Sequence, residues 1–193
     1  MALEIRVAQY RLVKEIGQGS FSTVYFAHDD KNNIYAIKRI QLDKIKRSAL
    51  PKFLLELNIS SSLDHSNVIK CYETFKTENN WYIVTEYCDA GTLIDYLKDQ
   101  QILQTVDYEK REQDIGQIMI QLKDGLKYLK GKGIYHRDLK PQNILFKNEG
   151  GKIVLKIADF GFARYFSNDS LTADGYYNMA TTFCGSPLSS RLI

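Results

Sequence analysis

The sequence predicts an α+β protein: a β-rich first half, a helical second half, and a hinge near residues 87–91. Three observations carry this. Short runs rich in β-branched and aromatic residues recur through the first half, with turn residues between them. One long stretch beyond residue 107 repeats apolar residues every three or four positions. Between the two, Cys88 to Gly91 breaks both patterns.

Each element follows from its residues. "YRLVKEI", "TVYFAH" and "IYAIKRI" read as strands, and "HDDKNN" (His28 to Asn33) as the hairpin turn between the last two. Pro51 at a first helical turn, with Leu54, Leu57 and Leu63 behind it, predicts one helix. "VIKCYETF" and "WYIVTEY" read as two more strands, joined by "KTENN". The expectation is a five-stranded antiparallel sheet with one helix. After the hinge, "TLIDYLK" reads as a short helix capped by Thr92. Asp107 is the expected N-cap of the long helix. Ile115, Ile118, Met119, Leu122, Leu126 and Leu129 mark its apolar face, and Gly131 and Gly133 stop it. Tyr165 to Asn178 is polar and irregular and reads as a mobile loop.

Bulk properties narrow the function. A chain of 193 residues fits one large domain or two small lobes. A net charge of +3 implies no general affinity for nucleic acid or membrane. The odd count of three cysteines, none spaced as a metal pair, fits free thiols in a reducing compartment. The N-terminus lacks the apolar run of a secretory signal, and no stretch is apolar enough to span a bilayer. The expected location is cytoplasmic, with no nucleic-acid partner; oligomeric state is left open.

Four signals carry chemistry. "IGQGSFSTV", Ile16 to Val24, places Gly17 and Gly19 between two strands, where backbone amides can approach an anion. Alone it fits a plain glycine-rich hairpin as well, and Ser22 stands where a third glycine would complete G-x-G-x-x-G. Lys38 lies on an apolar strand after Ala36 and Ile37. It either snorkels to solvent or pairs with Glu56 on the helix to meet a phosphate. "GIYHRDLKPQNILF" sets His, Arg, Asp, Lys and Asn between two apolar anchors. Rigid polar groups at a core edge are what a chemical site requires. In that stretch Asp138 suits a proton acceptor, Lys140 a neutralising charge, and Asn143 a hard-cation ligand. Lastly, a strand from Ile153 to Ala158 delivers Asp159, ahead of Phe160 and Gly161. Asn143 and Asp159 together suit Mg²⁺, with ATP phosphates completing the shell.

The glycine-rich loop, A-x-K, H-R-D-L-K-P-x-N and D-F-G, in this order and spacing, resemble the eukaryotic protein kinase family from about Tyr10 to Pro187. The resemblance implies a bilobal kinase-like fold. Residues 1–9 would be a lead-in, 10–87 the first lobe, 88–187 a partial second lobe, and 188–193 a tail outside the family pattern. It implies ATP and Mg²⁺ as ligands. Asp138 would be the catalytic base, Lys140 the support of the γ-phosphate, and Asn143 and Asp159 the metal ligands. Lys38 would contact the α- and β-phosphates and pair with Glu56, with His65 and Asn67 following that glutamate at the family's usual distance. The nucleotide would further be bound by Ile16, Gly17, Gln18, Gly19, Ser20, Phe21, Val24, Ala36, Leu145, the gatekeeper Thr85, and the hinge residues Glu86 and Cys88. Lys140, two residues after the base, is typical of the serine/threonine branch, so protein Ser/Thr hydroxyls are the implied acceptors.

More narrowly, "EYCDAGTLIDYL", "KIADFGFARYF" and "NMATTFCGSP" look like the ULK family of autophagy-initiating kinases. Within it Thr182 matches the activating phosphothreonine, placed there by an upstream kinase or in trans, and Arg137 is its natural partner. Ser186 matches the residue that touches Asp138 and Lys140. Two departures stand out. Ser60 replaces an apolar residue that would stack toward Phe160. After "CGSP" the chain reads "LSSRLI" in place of the family's further helices. An incomplete second lobe is therefore expected, with Leu122, Leu126 and Leu129 short of packing partners. The alternative function is a nucleotide-binding kinase fragment with impaired turnover, acting as a regulatory or decoy binder.

Overall fold

The computed structural model describes residues 5–19, 21–45, 50–99, 106–161 and 163–165. Ser20, Thr182, Ser186, most of the stretch read as a mobile loop, and the tail 188–193 lie outside the described residues. The chain divides into two compact units, Met1–Asp64 with Ile69–Asp89, and His65–Val68 with Ala90–Ile193.

In the first unit, β1 (Ile5–Val7), β2 (Tyr10–Gln18), β3 (Ser22–Asp29), β4 (Ile34–Gln41), β5 (Cys71–Lys76) and β6 (Asn80–Glu86) form one antiparallel sheet. Its order is β1-β2-β3-β4-β6-β5. The sheet has one strand more than the five expected. Ile5 to Val7 pair with Leu12 to Tyr10 across a tight turn in which Ala8 takes a positive φ of 49°. Three residues carry too short an alternation to register as a strand in sequence. β5 also starts later than expected, at Cys71. Val68 instead bridges Ile157 in the second unit.

Alternation gives the sheet two different faces. One face collects Tyr10, Leu12, Tyr25, Ala27, Ile37, Tyr82 and Val84 into a core. The sheet curls over this core. Tyr10 on β2 stacks on Phe75 of β5, and both Gln9 and Tyr10 donate to Glu73, although three strands lie between β2 and β5. Register shifts in β2 at Leu12/Lys14 and Glu15/Gly17 accommodate that bend.

The other face carries Lys38, Ile40 and Ile83, and packs against α1 (Leu50–Ser62). Phe53 and Leu57, one helical turn apart, bury against Ile40 and Ile83. Of the expected core leucines, Leu57 and Leu63 are buried but Leu54 is exposed. The apolar stripe runs through Phe53, Leu57 and Ile59 instead, one position off Leu54.

The second unit holds α2 (Leu93–Asp99), α3 (Tyr108–Gly131), β7 (Ile134–Tyr135), β8 (Ile144–Glu149), β9 (Lys152–Ile157) and β10 (Arg164–Tyr165). Both predicted caps are present. Thr92 Oγ1 accepts the Asp95 N–H while Asp95 accepts from the Thr92 N–H and hydroxyl, a reciprocal box. Asp107 accepts the Lys110 N–H at 3.0 Å. The β8–β9 hairpin turns at Gly150 and Gly151, both at positive φ. On α3, Ile118 and Leu129 are buried, whereas Ile115 and Met119 are exposed. Leu129 was expected to lack partners; it is 1% exposed. The bare edge of the stripe lies a little further round the helix.

Candidate active site

In the first unit, sheet register sets the expected nucleotide residues on one face. Ala36 pairs with Thr85 on one side and Phe26 on the other, and Lys38 pairs with Val24 and Ile83. Facing pairs share a side, so Val24, Ala36, Lys38 and Thr85 all lie on the α1 side of the sheet. Lys38 is therefore delivered to the helix, where its Nζ meets Glu56 Oε1 at 2.5 Å. Both side chains are largely buried, 24% and 13% exposed, which rules out simple snorkelling. Glu56 is reached because Phe53 and Leu57 fix the helix rotation around it.

Thr85 Oγ1 donates to the Ala36 carbonyl at 3.2 Å, tying the gatekeeper position to β4. Glu86 is 3% exposed and its carboxylate accepts the Lys70 N–H at 2.9 Å. Its side chain is thus structural, and its own N–H donates to the Lys70 carbonyl at 3.0 Å. Cys88 is half-buried and forms no disulfide among the described residues. Gly17 pairs with Val24 and Gln18 with Thr23. The Gly19 N–H donates to the Ser22 carbonyl at 2.7 Å, so that amide is committed to the turn in this conformation. Ile16 and Phe21 are exposed.

In the second unit, the predicted loop buries His136, Asp138 and Asn143. Asp138 is 1% exposed. Its Oδ2 accepts from Lys140 Nζ at 2.7 Å and from Asn143 Nδ2 at 3.2 Å. Two donors on one oxygen orient the carboxylate. Asn143 Nδ2 also donates to the Asp138 carbonyl at 2.9 Å. With its amide nitrogen engaged, the oxygen Oδ1 is the end of Asn143 suited to a cation. The Ala158 N–H donates to the Asn143 carbonyl, which sets Asn143 one residue from Asp159 in register. Leu145, half-buried on β8, bridges Thr92.

Two residues hold left-handed backbone: Arg137 at φ 66° and Asp159 at φ 63°. For side chains with a Cβ this costs of order 1–3 kcal/mol each. Arg137 reverses the chain so that the Asp138 N–H reaches His136 Nδ1 at 3.3 Å. Asp159, two residues past β9, turns to solvent while Phe160 stays 2% exposed beside the His136 ring.

His136 is the residue whose role sequence reasoning missed. Its Nε2 faces the Ala158 carbonyl at 2.9 Å, and a carbonyl only accepts. The ring proton therefore sits on Nε2, and Nδ1 accepts from Asp138. One neutral imidazole thus links the Asp138 loop to the segment after β9 that carries Asp159. Burial lowers its pKa from the ordinary 6.5, against the opposing effects of the Ala158 bond, Asp159 and Asp138.

The loop rests on a second support. Asn67 Nδ2 donates to the Leu155 carbonyl and to Gln121 Oε1, and Gln121 Oε1 accepts the Leu155 N–H. Gly125 lets α3 approach: a Cβ there would lie 2.9 Å from the Asn67 carbonyl oxygen. Gln121 and Gly125 were also missed. Their signal was a polar residue and a glycine in the buried sector of an otherwise apolar helix face.

The donor set fits Mg²⁺ with nucleotide phosphates. Asn143 Oδ1 and the Asp159 carboxylate are hard oxygen donors, and Mg²⁺ commonly takes one or two protein ligands plus phosphate and water. Among the described residues no group of three or more His, Cys, Asp or Glu forms a cage of its own.

Comparison with known proteins bears on the family. Residues 10–188 match the protein kinase domain. The chain is 38% identical to the serine/threonine-protein kinase ATG1a of Arabidopsis thaliana, over 94% of this chain and 27% of that protein. It is 35% identical to the serine/threonine-protein kinase atg1 of Dictyostelium discoideum, over 95% and 26%. It is 37% identical to the human serine/threonine-protein kinase ULK1, over 90% and 16%. The chain thus spans about a quarter, or less, of the length of these relatives. A match over nearly the whole chain, on the residues that build the Asp138 loop, means that the chain belongs to the protein kinase domain family.

Proposed function

We propose that this chain transfers the γ-phosphate of ATP to serine and threonine hydroxyls of proteins. The observation that carries this reading is the buried Asp138 carboxylate, held by Lys140 and Asn143 through the same oxygen. Asp138 takes the proton of the attacking hydroxyl, in a position fixed before substrate arrives. Lys140 offsets charge that develops on the transferring group. Lys38, held by Glu56, meets the α- and β-phosphates. Asn143 and Asp159 hold Mg²⁺, which neutralises phosphate charge when bound. Val24, Ala36 and Thr85 of the first unit contact the base, with backbone groups of Glu86 and Cys88. Thr182 is the activating site: phosphorylation adds a charge of about −1.5 to −2, which Arg137 is suited to meet. A role in autophagy initiation, in the cytoplasm, is proposed on the likeness to the ATG1 and ULK relatives.

A second reading is a nucleotide-binding protein without turnover that acts by docking. The exposed Ile115, Met119 and Ile120 on α3 favour it. Both are tested by transfer from labelled ATP to the chain itself and to a generic basic protein. Transfer that falls by at least about a hundredfold in Asp138→Asn supports the kinase reading. Nucleotide binding without transfer, equal in both proteins, supports the second.

A further inference from the structure

Along the C-terminal half of α3 lies an open groove of about 560 Å³, between that helix and the segment His65–Asn67. We propose that it docks an acidic peptide segment. The inference stands apart from phosphoryl transfer, because the groove uses none of the residues given a catalytic or nucleotide role.

The groove is built from donors. His65 Nδ1 accepts the Asn67 N–H at 3.0 Å, so the neutral ring carries its proton on Nε2. Ser66 is exposed, although its hydroxyl donates to Asn67 Oδ1 at 3.4 Å and so adds no donor to the groove. Lys127 and Lys132 are exposed on the helix side, and neither makes an ion pair among the described residues. Among the described residues that line the groove the one acid is Asp124, 3.9 Å from Lys123. Net charge on the groove is therefore positive, and the hydrogen-bonding capacity points to an acceptor-rich ligand.

Its floor is preorganised. The His65 ring stacks on Tyr128 at 4.8 Å, and Lys132 Nζ lies 5.8 Å from the same Tyr128 ring. Asn67 beneath them is buried and bound to both Gln121 and Leu155. A rigid floor lowers the ordering cost of binding. An open, polar groove of this size suits an extended chain lying across it, in contrast to the enclosed apolar pockets that hold small ligands. Carboxylates spaced along a peptide match two ammonium groups five residues apart, Lys127 on α3 and Lys132 at its C-cap.

The test uses the whole chain and a short fluorescein-labelled peptide alternating glutamate and serine, followed by anisotropy. The expected result is salt-sensitive binding that weakens about tenfold in the Lys127→Gln, Lys132→Gln double variant. A second double variant, Lys14→Gln with Lys31→Gln, removes the same charge from exposed sites in the first unit and should bind normally. The proposal is overturned by absent binding, by equal weakening in both variants, or by equal affinity for the glutamine version of the peptide. It is overturned also if a single-stranded oligonucleotide of matched charge binds as tightly, which would mark a general polyanion surface. Circular dichroism of each variant distinguishes lost contacts from lost structure.

Discussion

His136 shows how one side chain joins two parts of the Asp138 loop. Both ring nitrogens are used, and only the neutral tautomer satisfies both partners. A proton on Nδ1 would displace the Asp138 N–H, so burial and hydrogen bonding both oppose the charged form. The sign follows from linkage. The folded pKa lies below 6.5, so the unfolded chain takes up a proton that the native chain refuses. This stability is complete above pH 6.5 and is lost as pH falls through the folded value. We expect the urea midpoint of the native chain to drop between about pH 7.5 and about pH 5.5, more steeply than that of His136→Gln. Parallel pH profiles for the two proteins would show that His136 does not titrate in this way. The acidic and basic members of the site were legible because their types state their chemistry: Asp138, Lys140, Asn143 and Asp159. His136 was not, because its role depends on a carbonyl twenty-two residues away, at Ala158.

At the scale of elements, α3 contains two glycines with opposite meanings. An added Cβ at Gly116 would meet nothing within 4 Å. At Gly125 it would lie 2.8 Å from Ile157 Cδ1 and 2.9 Å from the Asn67 carbonyl oxygen. The isoleucine tip can move, but the carbonyl belongs to a turn pinned by Asn67 and Gln121. Gly116→Ala is expected to stabilise by up to about 1 kcal/mol through helix propensity. Gly125→Ala gains the same propensity but overpacks, which typically costs about 1–3 kcal/mol. A net loss of about 1–2 kcal/mol is expected in chemical denaturation. Equal, positive shifts for both variants would show that the α3 contact is loose. These two residues also mark the limits of sequence reading. Helical spacing located α3 and its cap to the residue. It did not separate the buried sector, at Ile118, Gly125 and Leu129, from the exposed edge at Ile115 and Met119. That division is set by which neighbours arrive, and hydrophobicity alone carries no such information. The same applies to Leu54 on α1, and to β1, whose three residues pair only because the Ala8 turn brings them back.

Across the whole molecule, the two units carry separate reporters. The single tryptophan, Trp81, packs on Phe53 in the first unit. Most helix lies in the second, where α3 alone has 24 residues against 13 in α1. Tryptophan fluorescence therefore follows the curled sheet and α1, while far-ultraviolet circular dichroism is weighted toward α3. Coincident transitions are the mark of two-state unfolding, and a division into two compact units is a reason for them to part. We expect the two probes to give distinct midpoints in urea. Gly125→Ala acts on contacts wholly inside the second unit, so it should shift the dichroism transition and leave the fluorescence transition in place. Glu73→Ala removes the acceptor shared by Gln9 and Tyr10, which closes the sheet curl. It should do the reverse. If instead each substitution moves both transitions together, the units unfold as one cooperative body. In that case Lys38 with Glu56 and the Asp138 loop share a single stability, and a weakness in either core would reach every residue of the proposed chemistry.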